Sequence, residues 1–390
     1  MISVQEALDK IFALLEPLDA ESIELRKASG RVLAEAVIAS RAQPPFSASV
    51  MDGYAVATAD VYAGDTFSVI GEAAAGSRFE GRVETGQAVR IFTGAPAPDG
   101  AQRVLIQEDV SRDADTIQVK ENADSSLYIR DAGADFAEGA EIPAGRKLTT
   151  ADIALAAAMN TPTVRAFRQP IVALIPTGDE LVMPGEDPTD DQIIASNIFG
   201  LAAMLESEGA IVRILPIARD NEAALSAVFD LAKGADLVVT IGGASVGDHD
   251  LVGTVAADRG MERSFYKIAM RPGKPLMAGR MDGTPMIGLP GNPVSAMVCG
   301  HVFLRPAVRA LQGLAKEALP TRSMPLAAPL SANGPRAHYM RAAIAHGSVT
   351  AASRQDSALL TVLASADALI VRPPQDGPRD TGETVQIIDI

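Results

Sequence analysis

Acids and glycines crowd the segment Gly242-Gly243-Ala244-Ser245-Val246-Gly247-Asp248-His249-Asp250, directly after an apolar, β-branched run at 237–241. Gly242, Gly243 and Gly247 permit backbone conformations in which amides face a phosphate or another oxyanion, and Asp248 and Asp250 add oxygen ligands suited to a hard cation. A tight strand-to-helix turn with solvated acids has the same pattern. Complementary chemistry lies in Lys267-Ile268-Ala269-Met270-Arg271-Pro272-Gly273-Lys274-Pro275, where Lys267, Arg271 and Lys274 share a proline-stiffened stretch. An Arg fork and Lys point charges suit phosphate oxygens, and prolines lower the entropy lost in holding them. A solvated basic loop is the plain alternative, and the Walker P-loop spacing is missing. Further polar groups sit in Thr177-Gly178-Asp179-Glu180, Arg219-Asp220-Asn221 and Pro290-Gly291-Asn292-Pro293. Asp52 lies between the stiff Pro44-Pro45 pair and a predicted Gly53-Tyr54 turn, and Thr93-Gly94-Ala95-Pro96 makes a second polar turn. Helix capping accounts for many Asp and Asn residues at such places, and isolated turns are commonly structural.

What could gather these segments is a parallel sheet. From Pro170 to Gln312 strand-like runs at 171–175, 211–217, 237–241 and 286–289 alternate with helical patterns at 196–207, 222–233 and from 294 onward. Ser196-Asn197 suits a helix N-cap, and Gly209 and Gly234 suit C-terminal caps. This alternation predicts a doubly wound, mostly parallel sheet with helices on both faces, and the carboxyl ends of its strands fall on one edge, where such sheets bind ligands. Residues 43–135 have a different texture, with short β-type runs at 67–70, 89–92, 103–107 and 116–119 between Gly, Pro, Asp and Asn. Helical spacing recurs at 4–15, ended by Pro17, and at 148–159, where Thr149-Thr150 are candidate caps. The expected fold class is therefore α/β multidomain. A discontinuous linker domain covers 1–42 and 136–168, a β-rich insert 43–135, a three-layer α/β/α domain 169–319, and a C-terminal β-barrel-like domain 320–390.

Composition narrows the partners. Among 390 residues, 49 acids outweigh 34 bases for a net charge of -15, which argues against general affinity for nucleic acid or an anionic membrane. Anionic ligands must then meet a local basic cluster or a bound cation. One cysteine, Cys299, excludes an intrachain disulfide and reads as a buried helix residue; the four histidines show no paired zinc-ligand spacing. Magnesium is favoured over catalytic zinc. No secretory signal and no run of about 18 apolar residues is apparent, so a cytoplasmic location is expected.

Six segments, in order, carry a family resemblance: Met51-Asp52-Gly53-Tyr54-Ala55-Val56, Thr93-Gly94-Ala95-Pro96, Thr177-Gly178-Asp179-Glu180-Leu181, the Gly242 to Asp250 loop, Arg271-Pro272-Gly273-Lys274-Pro275 and Leu289-Pro290-Gly291-Asn292-Pro293-Val294-Ser295. The chain resembles the molybdopterin molybdenumtransferases, the MoeA proteins of bacteria and the C-terminal domain of gephyrin. The resemblance implies insertion of molybdate into the dithiolene of adenylated molybdopterin with a divalent cation, Mg(2+), releasing AMP and the molybdenum cofactor. It implies a homodimer whose cleft lies between the α/β domain of one subunit and the insert of the other. Asp52, Thr93 and Asp135 would then face Glu180, Asp220 and Asp250, the last three holding the metal. Lys267, Arg271 and Lys274 would hold phosphate or molybdate, while Gly242, Gly243 and Ser245, with Pro290 and Pro293, would line the pterin and phosphates. Arg341 and Thr361 match family positions more loosely. A molybdopterin adenylyltransferase and molybdoenzyme chaperones are the implied partners. Two departures stand out: Ser47-Ala48-Ser49-Val50 replaces an Asp-Asn-Ser run of many relatives, and Arg271 stands where some have Lys. The competing readings are a molybdopterin adenylyltransferase, which lacks the insert and the terminal domain, and a non-catalytic scaffold.

Overall fold

The computed structural model describes residues 1–243 and 251–390. Buried apolar runs and capped helices build a central sheet of six strands. Its order is Ile211–Ile214, Ile171–Pro176, Leu237–Ile241, Thr284–Leu289, Met277–Met281, Glu262–Tyr266. The first four are parallel, as predicted; the last two join by antiparallel pairing, so that Met277–Met281 alone runs against the other five, and they correct the expected βα series. The sequence Met277-Ala278-Gly279-Arg280-Met281 hides its strand because it carries no β-branched residue. Its Gly279 is required by pairing, since a Cβ there would lie 2.5 Å from the Glu262 carbonyl oxygen.

Alternating side chains feed two cores. Val172, Leu174, Val239 and Ile241 pack with the Asn197–Ser207 helix and the Pro293–Leu311 helical stretch on one face. Ala173, Ile175 and Val238 pack with Leu225, Phe229, Val252 and Val255 of the Glu222–Leu231 and Leu251–Asp258 helices on the other. The result is a three-layer α/β/α unit. Burial of each Val, Leu or Phe here contributes about 1.5–3 kcal/mol. Pro293–Leu311 is long and apolar enough by length and composition to cross a membrane, yet His301, Arg305 and Arg309 interrupt it and most of it lies buried within this core. Its Gly300–Leu304 turn is π-helical just before Pro306, which has no amide hydrogen to continue a regular ladder. Cys299, at the end of the preceding turn, is fully buried, and burial pushes its thiol far up.

The β-rich segment forms a second six-stranded sheet in the order Arg103–Ile106, Gly53–Val56, Gln87–Ile91, Thr66–Ala73, Thr116–Val119, Val110–Asp113. Gly53-Tyr54 is thus the start of an internal strand and not a turn. A Cβ on Gly53 would fall 1.9 Å from the Leu105 carbonyl oxygen, so only glycine permits this pairing. On either side of the β-rich segment the chain pairs with itself, Ala20–Glu24 with Thr163–Phe167 and Val37–Ile38 with Glu141–Ile142. The Thr150–Ala158 helix there begins with a capping box between Thr149 and Asp152.

A third sheet runs Met270–Arg271, Ala337–Ala345, Ala368–Arg372, Thr384–Asp389, Arg322–Pro325, with Ser348–Ala351 also on Ala337–Ala345. Met270–Arg271 comes from the middle of the cation segment and pairs in parallel with Ala337 and His338. This pairing joins the predicted anion loop to the C-terminal sheet, and Arg271 is not part of a free solvated loop.

Candidate functional site

The carboxyl ends of the parallel strands carry three of the predicted polar segments side by side. Thr177 bridges Ala218, and the Gly242 amide donates to the Leu289 carbonyl at 3.1 Å. That bond corrects one expectation, because the Gly242 N–H is already used by the backbone and is not free to cradle a phosphate. Gly242 and Gly243 also serve close packing. Their φ values are +96° and +64°, and a Cβ on either would come within 2.6 Å of the Thr177 carbonyl oxygen or 2.8 Å of Thr177 Oγ1, respectively. Ser245 and Asp250, with the remainder of the glycine loop, lie outside the described residues.

Glu180 is exposed and folds back over Gly178, whose φ is +144°. A Cβ on Gly178 would sit 2.2 Å from Glu180 Oε2, so the carboxylate fills the space glycine leaves. Asn221, not Asp220, caps the following helix, its Oδ1 accepting from Ala224 N at 2.9 Å. The Asp220 carboxylate is therefore left for other uses, while its amide donates to Asp179 Oδ1 at 3.0 Å. Ser196 makes no side-chain cap bond, contrary to expectation; its neighbour Asn197 donates to the Gly291 carbonyl at 2.8 Å and ties the helix to the Pro290–Pro293 turn. A cavity of about 330 Å³ opens between these pieces, lined by Thr177, Glu180, Asn197, Pro275, Pro290 and Pro293.

Asp52 lies at the start of the internal strand of the β-rich sheet. Thr93 donates to its Oδ1 twice, from the amide and from Oγ1, each at 2.8 Å. The Thr93 amide first, then its hydroxyl, with the Arg90 charge adding to them, holds the Asp52 carboxyl below the usual carboxylate range. Arg90 is itself fixed, 5.0 Å from the Tyr54 ring centroid and 4.8 Å from that of Phe92, with a 2.8 Å bond to Gln107 Oε1. Thr93 and Asp135 share a cavity of about 620 Å³ with Arg130, a cation that the sequence reading missed. Its signal was present, since Arg130 is the sole basic residue between Lys120 and Arg146.

The cation segment faces another cavity, about 560 Å³, lined by Arg271, Asn333, His338, Gln355, Asp356 and Arg372. Arg341 is wholly buried close by; its Nη2 donates to the Asp356 carbonyl at 2.9 Å. Among the described residues Arg341 Nε and Nη1 and His338 Nε2 are buried without a hydrogen-bond partner. Burial, and then the charges of Arg271, Arg341, Arg372 and Arg336, push His338 down to about 4, so it is neutral near pH 7. With Arg271 and Arg372 in its lining and the Arg341 guanidinium close by, this cavity has the cationic, donor-rich chemistry that suits an oxyanion. Lys267 sits at φ +72° with Nζ 5.0 Å from the Tyr266 ring centroid. Thr361 lines a separate groove with Ala343 and Ala352. Among the described residues no three His, Cys, Asp or Glu side chains cluster as a ready-made metal centre.

Residues 2–160 match the MoeA N-terminal region (domain I and II), 173–310 a probable molybdopterin binding domain, and 323–390 the MoeA C-terminal region (domain IV). A molybdopterin molybdenumtransferase of Nostoc sp. is 36% identical over 81% of this chain and 76% of its own length. Molybdopterin molybdenumtransferase 2 of Mycobacterium tuberculosis is 34% identical over 100% of both chains. Among solved structures, a molybdopterin biosynthesis MoeA protein of Pyrococcus horikoshii superposes with a TM-score of 0.86 at 25% identity, covering 100% of each chain. Matched along its length in sequence and in fold, the chain belongs to the MoeA family of molybdopterin molybdenumtransferases.

Proposed function

We propose that this protein inserts molybdate into the dithiolene of adenylated molybdopterin and releases AMP and the molybdenum cofactor, acting in the cytoplasm as a homodimer. The observation that carries this reading is the cavity lined by Arg271, Arg372 and His338, with the unpartnered guanidinium nitrogens of Arg341 buried close by, a cationic pocket suited to an oxyanion inside a chain of net charge -15. An anion accepting from these groups would offset the cost of burying them. Lys267 and Lys274 add two cations in the same segment, and in the cavity beside Glu180 the residues Pro290, Pro293 and Asn197 give a flat pterin an apolar wall with one polar edge.

The exposed carboxylates Glu180 and Asp220 supply only oxygen donors, which fits Mg(2+), an ion that keeps several waters and is held through one or two carboxylates and substrate phosphates. Bound there, Mg(2+) would withdraw charge from the pyrophosphate linkage as the bond to AMP breaks. Asp250 is the third proposed ligand. Asp52 remains an anion under the Thr93 donors and, with Asp135, orients the substrate from the opposite wall, contributed in this reading by the second subunit. An adenylyltransferase supplies the adenylated substrate, and a molybdoenzyme chaperone receives the product.

Purified protein given adenylated molybdopterin, molybdate and Mg(2+) is expected to release AMP and yield cofactor that reconstitutes a molybdenum-free apoenzyme. Arg341→Met should raise the KM for molybdate at least tenfold. Adenylation of molybdopterin from ATP without molybdate-dependent AMP release would overturn the reading in favour of an adenylyltransferase. Absence of both activities in folded protein would favour a scaffold.

A further inference from the structure

The carboxylate of Glu180 has no rigid support of its own. It is exposed, and the turn that carries it contains Gly178 at a positive φ. Backbone bonds anchor the two ends of the turn, Thr177 N–H to the Ile241 carbonyl at 3.0 Å and Ile193 N–H to the Glu180 carbonyl at 2.8 Å, and a side chain from the adjacent loop ties the middle. Arg219 Nη1 lies 3.3 Å from the Gly178 carbonyl oxygen, 2.9 Å from that of Asp179 and 3.0 Å from that of Leu181. Those carbonyls belong to residues on both sides of Glu180. Carbonyl dipoles aimed at one point repel one another unless a cation sits at their focus, and a guanidinium is a cation at any working pH. The brace is reciprocal, because the amide of Asp220, next to Arg219, donates to Asp179 Oδ1 at 3.0 Å, and the Gly178 amide donates to the Ala218 carbonyl at 3.1 Å. A solvent-facing arginine that merely adds surface charge would not converge on three backbone oxygens.

We propose that Arg219 is a positioning residue that wraps the Thr177–Leu181 turn around its guanidinium, fixing the Glu180 carboxylate and holding it in register with Asp220. The inference rests on the proposed role of Glu180. Arg219 touches no substrate atom in this scheme and acts through the turn. Removing it leaves three converging carbonyls without their donor, so the turn relaxes and Glu180 samples positions away from Asp220, while the Arg271 cavity, which shares no lining residue with the Glu180 cavity, is untouched.

The test uses full-length protein with Arg219→Gln and Arg219→Lys. In Arg219→Gln, amide hydrogen exchange in a peptide spanning residues 177–182 should accelerate at least tenfold, with peptides of the C-terminal sheet unchanged. The kcat for AMP release should fall at least tenfold while the KM for molybdate stays within twofold. Arg219→Lys, which keeps a cation with three donors, should recover part of both losses. In a Glu180→Asp background, Arg219→Gln should cost less than it does alone, the non-additivity expected of residues acting as a unit. Losses that multiply, or exchange that is unchanged in residues 177–182, overturn the proposal; if Arg219→Gln fails to fold, Arg219→Lys carries the same measurements. If the wild-type protein releases no AMP, the functional reading fails, and the exchange data alone still decide whether Arg219 holds the turn.

Discussion

Asp52 shows how a single exposed residue acquires defined chemistry. Its neighbours donate from a backbone amide and a hydroxyl, both reaching Oδ1, so the charged form is favoured and the acid stays ionised further into the acid range than a free carboxyl. For a group with a depressed value, the carboxylate is present at higher pH and is lost as pH falls through that value. Thr93→Val removes the hydroxyl and keeps the amide. The acid limb of kcat/KM should therefore move to higher pH, with the plateau near neutrality less affected. A limb that stays in place in Thr93→Val would show that Asp52 is not the titrating group. Asp52, Thr93 and Glu180 are singled out in the sequence by the family resemblance of the motifs that carry them, because an acid or a threonine in an isolated turn is as readily a cap or a structural residue. Arg341 was harder to rank, since its value lies in being wholly buried with two nitrogens unpartnered, a property of packing and not of residue type.

At the scale of elements, the strand–helix alternation at 171–312 was readable because apolar runs, caps and glycines agree locally, as Asn221 and the positive φ of Gly209 and Gly234 show. Strands made by tertiary contact were not readable. Met270–Arg271 is two residues long, and nothing local says it will add to a sheet formed some 70 residues later. Gly53-Tyr54, the start of the Gly53–Val56 strand, looked like a turn for the same reason, its glycine being demanded by a neighbouring strand. The glycines at the end of Leu237–Ile241 likewise proved to be packing devices. Gly242→Ala places a methyl 2.6 Å from the Thr177 carbonyl oxygen at a φ that an L side chain resists, and should destabilise the protein by about 1–3 kcal/mol. Because Thr177 begins the Glu180 turn, turnover should fall more than tenfold. Urea denaturation and AMP release measure the two effects; a stable, fully active variant would mean that the strand ends move apart without consequence.

At the scale of the whole molecule, a strongly acidic chain concentrates its buried cations where the α/β unit and the C-terminal sheet are joined by the Met270–Arg271 pairing. The Asp52, Thr93 and Asp135 wall stands in a different sheet, and its cavity has no lining residue in common with the one that holds Glu180. Two half-sites in one chain are explained if each completes the other across a two-fold axis, which is the proposed homodimer. Complementation tests this directly. Asp52→Ala and Glu180→Ala should each abolish turnover without unfolding the protein, because both side chains are exposed or half-exposed and neither holds a core. When the two variants are mixed and their subunits exchange at random, half the dimers carry one chain of each kind. In such a dimer one cleft receives both substitutions and the other receives neither, so activity should recover to about a quarter of the wild-type sites. Purified heterodimers should reach about half. If verified heterodimers remain inactive, Asp52 and Glu180 must serve the same chain, and the shared cleft is wrong.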